Sequence, residues 1–408
     1  MIVGQNKYKK HGLMKNIITS ILITFGCCFT VFAQSLYSDS IKSYIDFLGR
    51  ETLLTPKEYI LKSFEEKDIV ILSERLHPEF KQYEMIIEVI KDERFKGNVY
   101  TEVGTFNSGK QINEFLLKEG LTDGEVKAHI LEIIKNLVDF ALWENYNFYY
   151  LLENIYRVNQ QRRENEKIML YPTDLIFFWD SIKCNEQYDM FMEMLEPQNN
   201  FPPIICRNSI MGQHFYFKYY EVKNSNPNKI KALVIMNTYH GYPRIPKCLQ
   251  FPKIVSTAEF IYKTFPNSTK GISINGLTNS MELVANGKWD AAFRFTGNKN
   301  VGFDLKNTPF GETKFDMYHF GCFANVAFDF IFDGLVFYEP VENFEKVIGI
   351  PGIFDDEAFV KEFYRRSLIE GYTKEEIETN IKEWNIKTTS KIDNLDKYNE
   401  IINKWLEK

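Results

Sequence analysis

Four segments of the chain set acid, base and amide side chains directly behind short apolar runs. Ser73-Glu74-Arg75-Leu76-His77 follows the run 68–72, and Glu102 stands near the end of the run 98–103. Thr173-Asp174 follows 168–171, and Asn237-Thr238-Tyr239-His240 follows 232–236. A histidine takes a proton from water near neutral pH. A neighbouring carboxylate can hold its tautomer and stabilise the imidazolium that forms. A second histidine or an arginine can stabilise an oxyanion. His77, Glu74, Glu102 and His240 are therefore candidate catalytic residues, and Arg75, Asp174, Asn237 and Arg207 candidate substrate-binding residues. The set Glu74, His77, Glu102 and His240 would also suit a divalent metal. Structural uses stay open beside these. Glu74 or Glu102 could pair with Arg75 or Arg207, His77 could start a helix opened by Pro78, His240 could sit satisfied in the core, and Asp174 could cap a helix. No GxSxG elbow is present, so a serine nucleophile is not indicated and water attack is the more natural route.

Such residues act together only if the fold gathers them. The runs 68–72, 98–103, 168–171, 232–236, 271–274 and 335–338 have strand length and are mostly apolar at successive positions. That pattern predicts strands buried on both faces of a parallel sheet. Helices are expected between them: one from Thr55-Pro56, one over 80–90 with Tyr83, Ile86, Ile87 and Ile90 on one face, and others over 143–163 and 207–220. Alternating strands and helices predict an α/β fold, a mostly parallel sheet flanked by helices. In such sheets loops converge at the carboxyl ends of the strands. Glu74, His77, Glu102, Asp174 and His240 are thus expected at one edge. Residues 351–408 read as a charged, helical C-terminal region.

The chain has 408 residues and a formal charge of −6, with no basic stripe, which argues against a nucleic-acid partner. Lys7, Lys9, Lys10 and Lys15 precede an apolar stretch over 17–32, and Val31 and Ala33 have signal-peptidase spacing. Residues 1–33 are expected to be a signal peptide, and the mature protein to be exported, periplasmic or extracellular, without a stable membrane span. Lipidation at Cys27 is the lesser alternative, because Thr24 and Phe25 are poor residues before Gly26-Cys27. Cys184, Cys206, Cys248 and Cys322 are too widely spaced for a zinc-finger cluster. They allow one or two disulfides or simple burial.

The motifs, in their order, resemble those of the erythromycin esterase family and its ChaN-like and TraB-like relatives. A Gly-Glu-x-x-His motif is matched by 73–77, with Ser73 for Gly and Pro78 where Gly commonly follows. Tyr100-Thr101-Glu102, Asn113, Trp143-Glu144, Asn159, Tyr171-Pro172-Thr173-Asp174-Leu175, Arg207-Asn208-Ser209-Ile210-Met211 and 234–240 complete the order; Met236 stands where the family tends to carry a further histidine. The resemblance covers about residues 60 to 340 and implies such a domain over 34–350. It implies His77 as the base that activates water, Glu74 and Glu102 as its supports, His240 as an electrophilic or orienting group, and Arg207 as structural or near the pocket. An exported hydrolase of an ester or related acyl bond is therefore expected, acting on a small molecule. The ChaN-like branch implies haem or small-ligand binding through His77, His240 or Tyr239. The TraB-like branch implies a metal-dependent peptidase. The cofactor is none, a divalent metal or haem, accordingly.

Overall fold

Residues such as 69–74, apolar at almost every position, can satisfy their backbone and bury their side chains only inside a sheet covered on both faces. In the computed structural model they do so. It describes residues 38–407 apart from 51, 138–145, 196–206, 247–255, 319–322 and 324. The expectations for residues 1–33, Trp143-Glu144, Cys206, Cys248 and Cys322 lie outside the described residues. Cys184 is exposed.

A seven-stranded sheet runs β3-β2-β4-β1-β5-β7-β6. Its members are β1 (Ile69–Glu74), β2 (Gly97–Thr105), β3 (Leu170–Asp174), β4 (Lys231–Asn237), β5 (Thr269–Ile274), β6 (Val301–Asp304) and β7 (Gly334–Phe337). Every pairing is parallel except β6 with β7. All six expected strands are present. Sequence reading missed β6, which has four residues and lies on the antiparallel edge. It also missed a second, two-stranded antiparallel sheet of β8 (Glu345–Ile348) and β9 (Thr388–Lys391). All four residues of β9 are polar and exposed, so no apolar pattern announces it.

Strand β1 shows why the sheet needs helices on both sides. Val70 and Leu72 join one core cluster with Ile86, Ile87 and Ile90, whereas Ile69 and Ile71 join another with Met211 and Phe215. This is the period of two of a strand buried on both faces. The helix Lys81–Lys91 covers the first face and Arg207–Ser225 the second. Thr55 caps the helix Pro56–Glu66 as expected, accepting from the Glu58 N–H. Beyond 355 the chain forms helices Glu357–Ile369, Lys374–Trp384 and Leu395–Leu406, with β9 among them. Phe359, Phe363 and Ile377 enter the first cluster, and Tyr398 and Ile402 enter a third that surrounds β6 and β7. Among the described residues, no helix is long and apolar enough to cross a membrane.

Strand order and register place the candidate site. β3, β2, β4 and β1 are successive neighbours, so their carboxyl ends emerge side by side. Glu74 pairs in register with Asn237, and Thr101 with Ile235. Between Thr101 and Thr105 the β2–β3 register shifts, with Gly104 at φ +95°. A side chain there would be strained by the positive φ and crowded by Pro172, 3.0 Å from its Cβ, which favours glycine.

The outer edge of β3 is closed by side chains. Asn113 donates to the Leu170 carbonyl and accepts from its N–H at 2.8 and 2.9 Å. Asn159 does the same for Ile168 at 2.9 and 2.7 Å. The two amides act as an extra strand, answering groups that burial would otherwise leave unpaired. Replacing Asn159 by Ala orphans both backbone groups of Ile168. By the usual cost of about 1–3 kcal/mol per unsatisfied buried group, it should destabilise the protein by about 2–6 kcal/mol in urea unfolding. A loss under about 0.5 kcal/mol, less than one orphaned group, would mean water repairs the edge.

Candidate active site

Glu74 is the last residue of β1, Glu102 lies within β2 and Asn237 ends β4. His77 stands on the turn after β1 and His240 on the single helical turn Thr238–Gly241. That turn lies close on β1, where a Cβ on Gly241 would meet Ser73 Oγ at 2.8 Å. The two carboxylates are almost fully buried, and each imidazole is about one fifth exposed. The sheet edge thus gathers Glu74, His77, Glu102 and His240.

Their hydrogen bonds fix the tautomers. His77 Nδ1 lies 2.8 Å from Glu74 Oε1, and the Tyr83 hydroxyl donates to Glu74 Oε2 at 2.9 Å. A carboxylate only accepts, so His77 Nδ1 carries a proton. His240 Nδ1 lies 2.6 Å from Asn208 Oδ1, which also accepts the Thr257 N–H at 3.1 Å. That backbone donor identifies Oδ1 as the oxygen, so His240 Nδ1 is a donor too. Both rings, when neutral, therefore present an Nε2 lone pair to one place. Glu102 Oε1 is 3.9 Å from His77 Nε2 and 3.5 Å from His240 Nε2. The other oxygen, Oε2, accepts the Asn237 N–H at 2.8 Å.

Charge separates the histidines. Burial opposes protonation of His77, but the Glu74 hydrogen bond and the charges of Glu74 and Glu102 outweigh it and raise its pKa. Burial also opposes protonation of His240, and with Arg207 and His77 it prevails over Glu102 and Asp174, lowering the pKa. Glu102 resists burial and is held below the usual range by His240, His77, Arg207 and the Asn237 N–H. Two bases at one oxygen with pKa values driven apart is the pattern of an acid–base site.

The remaining candidates sit as follows. Arg207 grips Asp174 in a fork, Nε to Oδ1 at 2.8 Å and Nη2 to Oδ2 at 2.6 Å, and adds positive charge near Glu102. Arg75 is buried and paired with Glu79, in a network separate from the cluster. The Asn237 side chain donates to the Arg75 carbonyl, so only its N–H serves Glu102. His77 starts no helix; the next one begins at Lys81. Sequence reading missed Tyr83 and Asn208 as partners. A tyrosine on an apolar helix face wants an acceptor, which was the signal available for Tyr83. His214 was missed as well; it stacks on Phe106 at 3.9 Å and bonds the Thr173 carbonyl through Nδ1 at 2.9 Å.

The donor types suit a divalent cation, yet no group of three or more His, Cys, Asp or Glu among the described residues is arranged to hold one. An axial haem ligand needs an open face beside Nε2, and each Nε2 here looks onto Glu102 within 4 Å instead.

The pKa directions give a test. Because the folded pKa of His77 lies above the unfolded value, its stabilising contribution is complete below about 6.5 and fades as pH rises through the raised value. For His240 the sign reverses, and stability falls as pH drops below about 6.5. NMR of histidine-labelled protein, assigned with His77→Gln and His240→Gln, should show His77 titrating above and His240 below the ordinary value. Coincident or inverted titrations would contradict the arrangement.

No family model and no curated protein sequence matches the chain. Similar solved structures include a succinoglycan biosynthesis protein, 11% identical, covering 75% of this chain and 98% of its own at a TM-score of 0.45. A mutant erythromycin esterase in its open conformation is 12% identical, covering 69% of this chain and 92% of its own at 0.44. ChaN of Campylobacter jejuni with cofacial haem is 9% identical, covering 53% and 85% at 0.28. The neighbours thus include both an erythromycin esterase and a ChaN protein, the kinds of protein that the sequence motifs resemble.

Proposed function

We propose that this protein is a hydrolase that cleaves an ester or related acyl bond of a small molecule by direct attack of water. The observation that carries the reading is the Glu74–His77 hydrogen bond, which leaves His77 Nε2 facing Glu102 Oε1 at 3.9 Å, beside His240 Nε2. A separation near 4 Å suits one water bonded to both atoms. In this reading His77 Nε2 takes a proton from that water as its oxygen bonds the acyl carbon. Glu74 stabilises the imidazolium, and Glu102 holds the second hydrogen. The tetrahedral intermediate then expels its alcohol, which leaves with the proton from His77, and a carboxylic acid remains.

His240 serves better as an orienting group than as an electrophile. To donate from Nε2 it would need a second proton, which burial and Arg207 oppose. Positive charge for the oxyanion comes from Arg207, held in place by Asp174. Export belongs to the same proposal: residues 1–33 are removed, which N-terminal sequencing of secreted material checks by a start at Gln34.

With a panel of esters and lactones, His77→Ala should abolish turnover. Glu74→Gln should lower kcat by about 100- to 10,000-fold with little change in KM. Activity should rise with pH as His77 loses its proton, since only the neutral ring is a base. No turnover by wild type across the panel, with a Soret band on adding haem, would replace hydrolysis with ligand binding.

A further inference from the structure

The turn 75–80 that carries His77 is held from every side. Arg75 donates its N–H to Gln82 Oε1 at 2.7 Å, and Gln82 Nε2 returns to the Leu76 and Glu79 carbonyls at 3.1 and 3.0 Å. Asn147 Nδ2 donates to the His77 carbonyl at 2.5 Å and to the Glu79 carbonyl at 3.1 Å. From β8, Val347 N–H reaches the Pro78 carbonyl at 2.9 Å, and the Glu345 carbonyl accepts Phe80 N–H at 2.8 Å. An ordinary surface loop leaves such groups to water.

Across the base of this turn runs a buried ion pair. Arg75 Nη1 meets Glu79 Oε2 at 2.9 Å, with both side chains at most 1% exposed. The guanidinium also donates through Nη2 to Asn275 Oδ1 at 2.7 Å and to the Tyr338 carbonyl, and lies 3.9 Å from the Phe344 ring centre. Glu79 in turn accepts the N–H groups of Lys81 and Gln82, both at 3.0 Å, at the start of the next helix. Burying a charge pair earns little net stability over an apolar pair of the same volume. What it does specify is geometry, because the planar guanidinium is fixed from several directions at once, by Glu79 through Nη1 and by Asn275 and the Tyr338 carbonyl through Nη2. Here their meeting sets the separation of residues 75 and 79, with His77 midway between them.

We infer that Arg75, paired with Glu79, is a positioning residue that fixes the 75–79 turn and so keeps His77 Nδ1 on Glu74. The inference rests on His77 being the base of the proposed hydrolysis. Arg75 acts through shape: the charges that act most on His77 are Glu74, Glu102 and Arg207. β8 extends the same support, so the C-terminal part of the chain, through β9, braces the turn that presents the base.

The test uses the whole protein. Arg75→Met with Glu79→Gln removes both charges, nearly keeps the volume, keeps one of the two helix-start acceptors, and leaves no orphaned ion. The readout is the low-field proton resonance of the His77–Glu74 hydrogen bond, assigned by its absence in Glu74→Gln. It should broaden away in the double variant while circular dichroism stays native. With substrate, kcat should fall by about 10- to 100-fold at unchanged KM, the usual loss when an outer support of a catalytic group is removed. In a Glu74→Gln background the same change should have no further effect. A folded double variant that keeps the resonance at full intensity overturns the inference, as does wild type that never shows it. Should the double variant fail to fold, Arg75→Lys takes its place: it keeps the charge but loses the fork, and an unchanged resonance again overturns the inference. The resonance is read without substrate, so a wild type inactive on every ester sinks the hydrolase reading and leaves this one standing or falling alone.

Discussion

A carboxylate within the central strands of a sheet must be compensated or it will not be charged, and Glu102 is such a group. It is 4% exposed, in a strand buried at every position. Water is not there to solvate it, and an isolated ion in that environment is prohibitively costly. Its partners come from three other segments: the Asn237 N–H at the end of β4, His240 just beyond it, and His77 after β1, with Arg207 adding positive charge. Each requires the strand order found. β4 must lie beside β2 for its last N–H to reach the carboxylate, and β1 must lie beside β4 for both histidines to reach the same oxygen. The strand order and the site therefore impose the same condition on the chain.

The same logic repeats around it. Asp174 is answered by the Arg207 fork, and Glu79 by Arg75. Glu102 and Asp174 draw cationic or imidazole partners from other elements, whereas Glu79 meets Arg75 within a single turn. Removing one member of such a set leaves the other uncompensated, which costs far more than the pair contributes. Stability is thus a weak reason for the charges to be here, and the placing of side chains a better one.

How much of this could be read beforehand depended on which physical signal each element carries. Strands β1, β2, β4, β5 and β7 are buried on both faces and write strand-length runs that are mostly apolar. β6, β8 and β9 are four residues long, edge-lying or exposed, and write none. Glu74, His77, Glu102 and His240 were legible because polar groups at the ends of buried strands are conspicuous. Arg75 and Arg207 could not be told apart in advance. Adjacent residues leaving a strand point in opposite directions, and the register that turns Glu74 toward the site turns Arg75 away from it. Asn208 acts on a histidine 32 residues away, so nothing local marks it, while Tyr83 was marked only as a tyrosine on an apolar helix face. Asn113 and Asn159 stood out only by their order in the resemblance; that they close the edge of β3 is visible only in three dimensions.

The two histidines carry the last step. They share one residue type, one carboxylate oxygen, comparable exposure and the same tautomer, yet their basicities are driven in opposite directions. The difference lies behind the rings. His77 Nδ1 rests on an anion, Glu74, while His240 Nδ1 rests on a neutral amide, Asn208. An anion at Nδ1 stabilises the imidazolium by charge as well as by hydrogen bond; an amide oxygen offers the hydrogen bond alone, too little to offset burial beside Arg207. A proton arriving at Glu102 Oε1 therefore has a preferred destination, and the preference is set by a residue that touches no reacting atom. This is why the base is assigned to the histidine after β1 and the orienting role to the one after β4.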